Sequence, residues 1–402
     1  MIRKRDLFCK KNKFKITKPI RLIELFAGIG AQAKALENLG VSFEHYCICE
    51  WDKNSVNSYN IIHDTNFVTS DISKISADDL RIVDTDKYDY IMTYSFPCTD
   101  LSSAGKQLGM QEGSGTRSSL LWEVGRILSE CKELPKVLLM ENVVQVHSDS
   151  NRAEFMRWCN YLNSLGYKNY MKDLSALDYN VPQSRVRCFM ISILSDDDYV
   201  FPNKIARTNT VFDYLEKSAN IDYYVLSDWG KFLVKKLCGD LIFRQYLCNS
   251  ASINDFKNID IYISDCTDSF SVQQINRQIG CIKKDTRLKS CEDSSQRVLF
   301  RNNDYCGTLT TFEKDNVVIE IYKMPSGCES KTFKDFVYDF DNQKYLVLIR
   351  YLMPCECFRL MGFDKIDSDK VMSFGTSKSV MYQQTGNSIV VDVLSNIFKE
   401  MI

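Results

Sequence analysis

A strand, a glycine-containing turn and a helix follow one another near the start of the chain, and this order constrains the fold more than any other feature. Residues 20–26 are an apolar run typical of a buried strand, residues 27–30 form a tight turn, and residues 31–39 have helical periodicity. A second strand is predicted over residues 43–49. Because parallel strands need a crossover helix between them, the pattern predicts an α/β fold with a doubly wound, mostly parallel sheet.

Acidic and aromatic residues follow the glycine turn at positions suited to a nucleoside. Gly28 and Gly30 let a ligand approach the backbone closely, and the helix that follows offers free N–H groups. Glu50, about 20 positions after the turn, is placed to bind ribose hydroxyls, and Trp51 to cover an adenine face. Asp71 follows a further predicted strand. The alternative is that the glycines serve packing alone; the carboxylates favour a nucleoside pocket, and the absence of a Walker sequence argues against a triphosphate.

A cysteine lies on the loop after another predicted strand. Residues 88–94 read as a buried strand, and Pro97 ends it because proline cannot continue a central sheet. Cys98 thereby falls at the carboxyl edge of the sheet, where ligands bind in open α/β folds. It is either a nucleophile that reacts as the thiolate or a small, half-buried loop residue. Residues 103–119, rich in glycine and serine, predict a mobile flap beside it.

Charged residues mark the ends of two further predicted strands. Glu141 closes the apolar strand at residues 136–140, either as a hydrogen-bonded cap or as an acid within the site. Arg185 and Arg187 lie at the start of the strand that includes residues 188–194 and, being two positions apart, share one face. They could grip a phosphate or a carbonyl there, and the alternative is an exposed sheet edge.

Composition limits the class of protein. The chain has 402 residues, 45% of them apolar, which suits about two or three domains with sizeable cores. A net charge of −1 does not by itself predict a polyanionic partner, although a local basic groove would suffice to bind one. The 16 irregularly spaced cysteines predict reduced thiols and a cytoplasmic location, and no apolar stretch is long enough to span a membrane.

No metal site is predicted from the sequence. Two pairs of cysteines have a single residue between their members, which is closer than the usual spacing of zinc ligands. These pairs are Cys47 with Cys49 and Cys355 with Cys357. His45, His63 and His147 are not expected to form a ligand cluster.

The regular alternation of strands and helices stops near residue 196 and helical periodicity returns after residue 345. We predict a basic N-terminal arm at residues 1–19, either disordered or contacting phosphates, and a first domain at residues 20–195. Residues 196–344 predict a smaller, irregular inserted domain, and residues 345–402 are expected to complete the first domain. The last helix has one apolar face that must pack on this domain. Its members are Ile389, Val390, Val393, Leu394, Ile397 and Phe398.

Taken in order, several groups of residues resemble the motifs of the DNA cytosine-5 methyltransferases, notably the bacterial enzymes paired with restriction systems. The resemblance covers about residues 20–194 and 345–402. The matching segments are residues 24–30 (ELFAGIG), 50–51 (EW), 71–72 (DI), 96–98 (FPC), 141–143 (ENV), 183–187 (QSRVR) and 384–388 (QTGNS). Three positions depart from the family pattern: Thr99 replaces a usual Gln, Glu24 a usual Asp, and Ala31 a frequent third glycine.

This resemblance implies a Rossmann-like methyltransferase that uses S-adenosylmethionine, with residues 196–344 as its target-recognition domain. It implies that Cys98 is the nucleophile that attacks carbon 6 of a flipped cytosine, and that Glu141, Arg185 and Arg187 complete the catalytic set. By resemblance, Arg187 is favoured for the carbonyl of the base. The residues implied to bind the cofactor are Phe26, Gly28, Gly30, Glu50, Trp51, Asp71, Ile72, Pro97, Leu120, Asn387 and Ser388.

The implied partners are double-stranded DNA and a separately encoded restriction endonuclease, with no metal and no membrane. A monomer suffices, because one base is flipped per site. Two alternatives stay open: a tRNA cytosine-5 methyltransferase, which shares the motif order, and a non-catalytic DNA-binding relative. The long insertion favours duplex DNA over tRNA, and the intact Cys98, Glu141 and Arg187 favour an enzyme over a binder.

Overall fold

The described part of the chain forms two compact units in the computed structural model. It consists of residues 12–101, 108–216, 305–311, 317–324, 333–340 and 342–402, shorter pieces at 219, 221–227, 230–231, 234–235 and 238, and the backbone of three strands between 275 and 300. The first unit contains Met1–Tyr179, Val186–Ala206 and Ser388–Ile402, and the second contains Asn180–Arg185 and Arg207–Asn387. Among the described helices, none has the length and apolar character that a membrane span requires.

A six-stranded sheet forms the centre of the first unit. Its strands are β1 (Ile20–Leu25), β2 (Phe43–Cys49), β3 (Asp89–Tyr94), β4 (Val137–Asn142), β5 (Lys168–Ser175) and β6 (Val186–Ile193). Their order in the sheet is β2-β1-β3-β4-β6-β5. The pairs β1–β2, β1–β3 and β3–β4 are parallel, whereas β6 runs antiparallel to both β4 and β5. The mostly parallel sheet predicted from the sequence is therefore confirmed.

Five helices alternate with the first strands along the chain. They are α1 (Ala31–Asn38), α2 (Lys53–His63), α3 (Ala77–Leu80), α4 (Leu121–Glu130) and α5 (Arg152–Ser164). Every residue of β3 and β4 is buried, as expected for central parallel strands covered on both faces. Trp158 of α5 donates its indole N–H to the hydroxyl of Tyr94 in β3 at 3.1 Å, so the layer of α5 is fixed to the sheet by a polar bond within the core.

The carboxyl ends of the parallel strands are level with one another. Leu25 of β1 is paired with both Cys49 of β2 and Tyr94 of β3, and Tyr94 is paired in turn with Met140 of β4. The segments that follow these four residues therefore leave the sheet at one edge. They include the glycine turn, Glu50, the loop with Cys98, and Glu141.

The strand predicted before Asp71 is absent, since residues 65–71, all of them described, contain no strand. The Asn60 side chain takes the place of a strand partner there: its Nδ2 donates to the carbonyl of Phe67 at 2.9 Å, and its Oδ1 accepts from the N–H of Phe67 at 2.8 Å. A side chain that satisfies both backbone groups of one residue removes the need for a ladder.

Antiparallel strands characterise the described part of the second unit, where the sequence predicted short irregular segments. A four-stranded sheet has the order β11-β12-β10-β7, and β8 pairs with β9. The elements are β7 (Ile275–Gln278), β8 (Gly280–Lys283), β9 (Arg297–Phe300), β10 (Val317–Lys323), β11 (Val337–Phe340), β12 (Gln343–Tyr351), α6 (Pro354–Leu360), α7 (Lys365–Ser373) and α8 (Lys378–Asn387).

A buried ion network connects strands and helix in the second unit. The Arg350 side chain in β12 donates to Glu320 of β10 at 2.9 Å and to both carboxylate oxygens of Glu356 in α6, at 2.9 and 3.0 Å. Tyr224 donates its hydroxyl to the second oxygen of Glu320 at 2.8 Å. These bonds compensate three charges that would otherwise be costly to bury.

Both termini of the described chain pack within the first unit. The last helix, α9 (Val391–Lys399), lies against α1, with the Ser395 hydroxyl donating to the carbonyl of Ala35 at 3.4 Å. All six residues predicted to form its apolar face are buried, although Ile389 and Val390 lie just before the first residue of the helix. Phe14 is also buried, and its N–H donates to the carbonyl of Asp198 at 2.9 Å. Residues 1–11 of the predicted basic arm lie outside the described residues.

Candidate active site

The turn after β1 has a backbone shape that few residue types adopt. Phe26, Gly28 and Gly30 all have positive φ angles, of 57°, 56° and 79°. This region is open to glycine but costs other residues roughly 1–2 kcal/mol. The N–H of Phe26 donates to the carbonyl of Cys49 at 2.7 Å, which ties the turn to the end of β2. A Cβ at Gly28 would meet nothing within 4 Å, so the backbone is open to a ligand at this point.

The Glu50 side chain bridges the glycine turn and the start of α2. Its two oxygens accept from the N–H of Gly28 at 3.0 Å and from the N–H of Asp52 at 2.9 Å. Burial of the Glu50 carboxyl raises its pKa, against the opposing effect of these bonds. Each oxygen keeps a lone pair for a further donor such as a ribose hydroxyl. The adjacent Trp51 is 74% exposed, which leaves its ring free to cover an apolar ligand face.

Asp71 lies on the loop beside the end of β2. The N–H of Ser70 donates to the carbonyl of Glu50 at 2.8 Å, and this bond fixes the loop. The Asp71 carboxylate accepts from the hydroxyl of Ser73 at 2.8 Å and from its N–H at 3.0 Å, and these bonds lower the pKa of Asp71. The next residue, Ile72, is buried in the core instead. The loop therefore presents a charged carboxylate and is anchored by its neighbour.

Arg126 of α4 supports this loop, and the sequence did not single it out. Its guanidinium donates to the carbonyls of Ile72 at 3.1 Å and Ile75 at 2.8 Å. It also forms ion pairs with Glu123 at 2.8 Å and Glu130 at 2.9 Å on its own helix. The two acids at helical spacing were the available signal, but they indicate an ordinary exposed ion pair as readily as a support.

Glu24 in β1 is buried beneath the turn. One oxygen accepts from the N–H of Ala33 at 3.3 Å, and the other accepts from the hydroxyl of Tyr59 at 2.5 Å. Burial raises the pKa of Glu24 to about 7, even though the Tyr59 bond acts in the opposite direction. The residue that replaces the usual Asp of this motif is therefore a core group that ties β1 to α1 and α2.

The loop with Cys98 is held from two sides. Asn142 at the end of β4 donates its side-chain N–H to the carbonyl of Phe96 at 2.9 Å. The Ser118 hydroxyl donates to the carbonyl of Pro97 at 2.7 Å. Cys98 is half-buried and packs against the edge of the core. The thiol thus lies on a fixed loop directly beyond the level edge of β3 and β4.

The described end of the predicted flap folds back on the same loop. The Asp100 carboxylate accepts from the N–H groups of Arg117 at 2.8 Å and Ser118 at 3.3 Å. These residues begin a short 3-10 helix, Arg117–Leu120, which leads into α4. Leu120 is partly buried against the core. Residues 102–107, which include the start of the predicted flap, lie outside the described residues.

Glu141 and Arg187 form an ion pair at this edge. Nε of Arg187 lies 3.3 Å from Oε1 of Glu141, and their side chains are 19% and 9% exposed. Glu141 is opposite Phe189 in the β4–β6 ladder, and Arg187 comes two residues before Phe189 in β6. The antiparallel direction of β6 therefore brings the start of that strand to the end of β4, which is why the two charges meet.

Arg185 has different partners from Arg187. It precedes β6, belongs to the second unit and is buried there, donating to the carbonyls of Leu309 at 3.4 Å and Gly386 at 3.1 Å. Gln183 acts similarly: its Nε2 donates to the carbonyl of Leu360 at 3.1 Å. The first arginine and the glutamine of this segment thus bind the backbone of the second unit.

Asn387 and Ser388 fall on either side of the division between the units. Asn387 ends α8 in the second unit. Ser388 begins the last segment of the first unit, and its hydroxyl donates to the carbonyl of Ile389 at 3.3 Å. Gly386 is closely packed, since a Cβ there would lie 2.5 Å from the backbone nitrogen of Thr311.

The expectation that the histidines form no ligand cluster is wrong: His147 lies with Asp173 and Cys188, and His45 and His63 lie with Glu37. Within each group the nitrogen, oxygen and sulfur atoms lie within 4.8 Å of one another. His45 is in β2 and His63 ends α2, and the packing of the helix on the strand, which sequence spacing does not reveal, brings them together. His45 bonds the Tyr59 hydroxyl at 3.0 Å, and His63 bonds Glu37 at 2.6 Å.

Comparison with known proteins identifies one family that this chain matches. A family model described as C-5 cytosine-specific DNA methylase matches residues 20–402. The type II methyltransferase M2.ScrFI of Lactococcus lactis subsp. cremoris is 29% identical to this chain. The matched region covers 95% of this chain and 99% of M2.ScrFI. The orphan methyltransferase M.SPRI of Bacillus phage SPR is 28% identical, over 95% of this chain and 97% of its own.

A solved structure resembles the fold over the same extent. The Entamoeba histolytica methyltransferase EhMeth matches with a TM-score of 0.60, covering 96% of this chain and 98% of that one. At 16% identity this likeness shows the fold alone.

Proposed function

The chain belongs to the C-5 cytosine-specific DNA methylase family, and on that premise we propose that it transfers a methyl group from S-adenosylmethionine to carbon 5 of a cytosine in duplex DNA. The observation that carries the proposal is the ion pair of Glu141 and Arg187, together with the bond from Asn142 to Phe96 that fixes the loop of Cys98 at the same strand ends.

The residues at the end of β1 and β2 fit the proposed donor. Four features suit a molecule with an adenine and a ribose. They are an open backbone at Gly28, a partly buried carboxylate at Glu50 with lone pairs to spare, an exposed ring at Trp51 and a charged carboxylate at Asp71. When bound, S-adenosylmethionine supplies an electrophilic methyl group. Other residues proposed to contact it are Phe26, Gly30, Ile72, Pro97, Leu120, Asn387 and Ser388.

Cys98 acts as the nucleophile in this proposal. Its thiolate adds to carbon 6 of the cytosine ring, and the electron pair of the 5,6 double bond moves towards carbon 5, which is otherwise a poor nucleophile. Once carbon 5 has taken the methyl group, with S-adenosylhomocysteine as the other product, its proton would be lost to a base and the sulfur–carbon bond would break, which restores the 5,6 double bond and the thiolate. Cys98 is half-buried at the edge of the core rather than sealed within it, which is compatible with this role.

Glu141 and Arg187 stabilise the ring while Cys98 is attached. Glu141 gives a proton or a strong hydrogen bond to ring nitrogen 3, and Arg187 binds the carbonyl oxygen, where negative charge develops. The 3.3 Å distance between them supports this division, because adjacent atoms of one ring need adjacent partners. Arg185, whose guanidinium binds the carbonyls of Leu309 and Gly386, is proposed as the remaining member of the catalytic set.

Recognition of duplex DNA requires two further features. The target base must be flipped out of the stack at a cost of a few kcal/mol, and residues 103–119 are proposed to close over it. Residues 196–344 are proposed as the target-recognition domain that reads base edges in the major groove, between the catalytic domain at residues 20–195 and its completion at residues 345–402. Residues 1–19 are proposed as a basic arm.

The proposed setting is the bacterial cytoplasm, as the modification half of a restriction–modification system with a separately encoded endonuclease. M2.ScrFI, named a type II methyltransferase, supports this, whereas M.SPRI is named an orphan. A monomer without a resident metal is sufficient for the chemistry proposed, because one base reacts at a time and the nucleophile is a thiolate.

The test compares two nucleic acids. The protein is incubated with methyl-labelled S-adenosylmethionine and either duplex DNA of mixed sequence or tRNA. Incorporation into DNA at carbon 5 supports the proposal, and bisulfite sequencing of the product then gives the target site. Incorporation into tRNA alone would establish the tRNA enzyme instead. Duplex DNA with 5-fluorocytosine at the target site should trap a covalent adduct, which a binder without chemistry would not form.

A further inference from the structure

His63, the last residue of α2, lies beneath the glycine turn. Its side chain is fully buried, with Nε2 3.1 Å from the carbonyl oxygen of Ile29 and Nδ1 2.6 Å from Oε1 of Glu37. Ile29 stands between the two glycines of the turn, so a side chain from a separate helix bonds directly to the proposed donor-binding backbone.

The turn is shaped around this ring. A Cβ on Gly30 would lie 2.2 Å from Nε2 of His63, which no real side chain could tolerate, and Gly30 also has a φ of 79°. Glycine is therefore required here twice, for the conformation and for the approach of the imidazole.

Both ring nitrogens of His63 face acceptors, a carboxylate and a carbonyl. An N–H on Nε2 donates to the carbonyl of Ile29, and an N–H on Nδ1 donates to the carboxylate of Glu37. Burial of the Glu37 carboxyl acts to raise its pKa, but the hydrogen bond and charge of His63 outweigh burial and lower it. The ionisable groups around His63 come from two strands, β1 and β2, and two helices, α1 and α2. They are Glu24, Lys34, Glu37, His45 and Tyr59.

The two ends of α2 support two consecutive residues of the turn, Gly28 and Ile29. Before its first residue, Asp52 donates its N–H to Glu50, and Glu50 in turn accepts from the N–H of Gly28. At its last residue, His63 reaches the carbonyl of Ile29. The N–H on one side of the turn and the carbonyl on the other are thus fixed by one helix.

We propose that His63 is a positioning residue for the methyl donor: by holding the carbonyl of Ile29, it fixes the turn in the conformation that binds S-adenosylmethionine. This inference rests on the proposed function. His63 acts through the backbone of the turn and takes no part in the chemistry at the cytosine. Its loss should therefore weaken donor binding and leave the chemical step and DNA binding unchanged.

Two single substitutions separate the two bonds of the ring. In His63→Gln, the side-chain amide can occupy the place of Nε2 and still donate to Ile29. In His63→Asn, the shorter amide can occupy the place of Nδ1 and donate to Glu37 only. Ile62→Ala removes a buried neighbour on the same helix and serves as the control for lost stability.

The measurements are the affinity for S-adenosylmethionine by calorimetry, KM for donor and for DNA, kcat, and the melting temperature. We expect His63→Asn to weaken donor affinity and raise donor KM about tenfold, the scale of one lost hydrogen bond, with kcat and DNA KM within about twofold. His63→Gln should retain most of the affinity, and Ile62→Ala should melt earlier while binding donor normally.

Equal donor affinity in His63→Asn and the unchanged protein would overturn the inference, as would losses that follow melting temperature across all three variants. Failure of the proposed function looks different, because the unchanged protein itself would then neither bind S-adenosylmethionine nor methylate DNA.

Discussion

Nε of Arg187 lies 3.3 Å from Oε1 of Glu141, although the two residues come from strands that run in opposite directions. Both side chains are largely buried at the carboxyl edge of the sheet. A pair of opposite charges at this depth is stable only with mutual compensation, so each residue fixes the position of the other. The pair is therefore a fixed, partly buried feature of this edge rather than an incidental surface contact.

Replacing the nucleophile should remove transfer and spare the donor site. For Cys98→Ser we expect the rate to fall by a factor on the order of 10³ or more, because a hydroxyl is a much weaker nucleophile at neutral pH, with donor affinity nearly unchanged. Labelled methyl transfer and calorimetry measure the two effects. Cys131→Ser, at another half-buried cysteine, is the control. Full activity in Cys98→Ser would exclude Cys98 from the reaction.

Replacing the arginine of the pair should lower the chemical rate. Arg187→Lys keeps the charge and loses the planar fork, so we expect kcat to fall about a hundredfold while donor KM changes little. Steady-state kinetics with each substrate varied separately give both values. Arg152→Lys changes an exposed arginine and should have no effect. A rise in donor KM at unchanged kcat would show instead that Arg187 serves the cofactor.

Removing the carboxylate at the end of β2 should act on donor binding. Glu50→Ala deletes the acceptor for Gly28 and Asp52 and the proposed ribose contact, so we expect donor affinity to fall about tenfold to a hundredfold. DNA affinity should fall much less, as calorimetry with each ligand alone would reveal. Glu44→Ala removes an exposed acid from the same strand. Equal losses for both ligands would mean that Glu50 is structural.

Ionisation of Glu24 should make stability depend on pH. Burial raises its pKa from the usual 4.5 to about 7, so the folded protein keeps a proton that the unfolded chain has released in this range. The contribution of Glu24 to the free energy of unfolding is therefore complete below pH 4.5, declines as the pH rises to about 7 and is lost above that pH. The total decline is up to about 3 kcal/mol.

Glu24→Gln should lack this decline, because an amide does not ionise. Denaturant unfolding between pH 5 and 8 compares the two proteins, with Asp149→Asn at an exposed carboxyl as the control. A decline of the same size in Glu24→Gln would assign the pH dependence to another group.

Local patterns in the sequence were sufficient for much of the fold. The apolar runs that became β1, β3 and β4 and the glycine turn were all predicted, because each depends on residues close together in the chain. The strand expected before Asp71 was wrong, because a side chain seven residues away, Asn60, satisfies the backbone of Phe67. The regular strands of the second unit were not predicted, because antiparallel pairing such as that of β10 with β12 leaves little trace in local periodicity.

The sequence by itself determined which residues have chemistry to offer and that strand ends would present them: Cys98, Glu141 and the carboxylates after β2 were all found in this way. Only the tertiary structure decided which of them meet. Arg187 reaches Glu141 because β6 is antiparallel, whereas Arg185, two positions earlier, bonds within the second unit. His63 reaches Ile29 because a helix end packs beneath a turn 34 residues away in the chain. Such meetings depend on how whole elements pack, and packing is a property of the entire core rather than of any short segment.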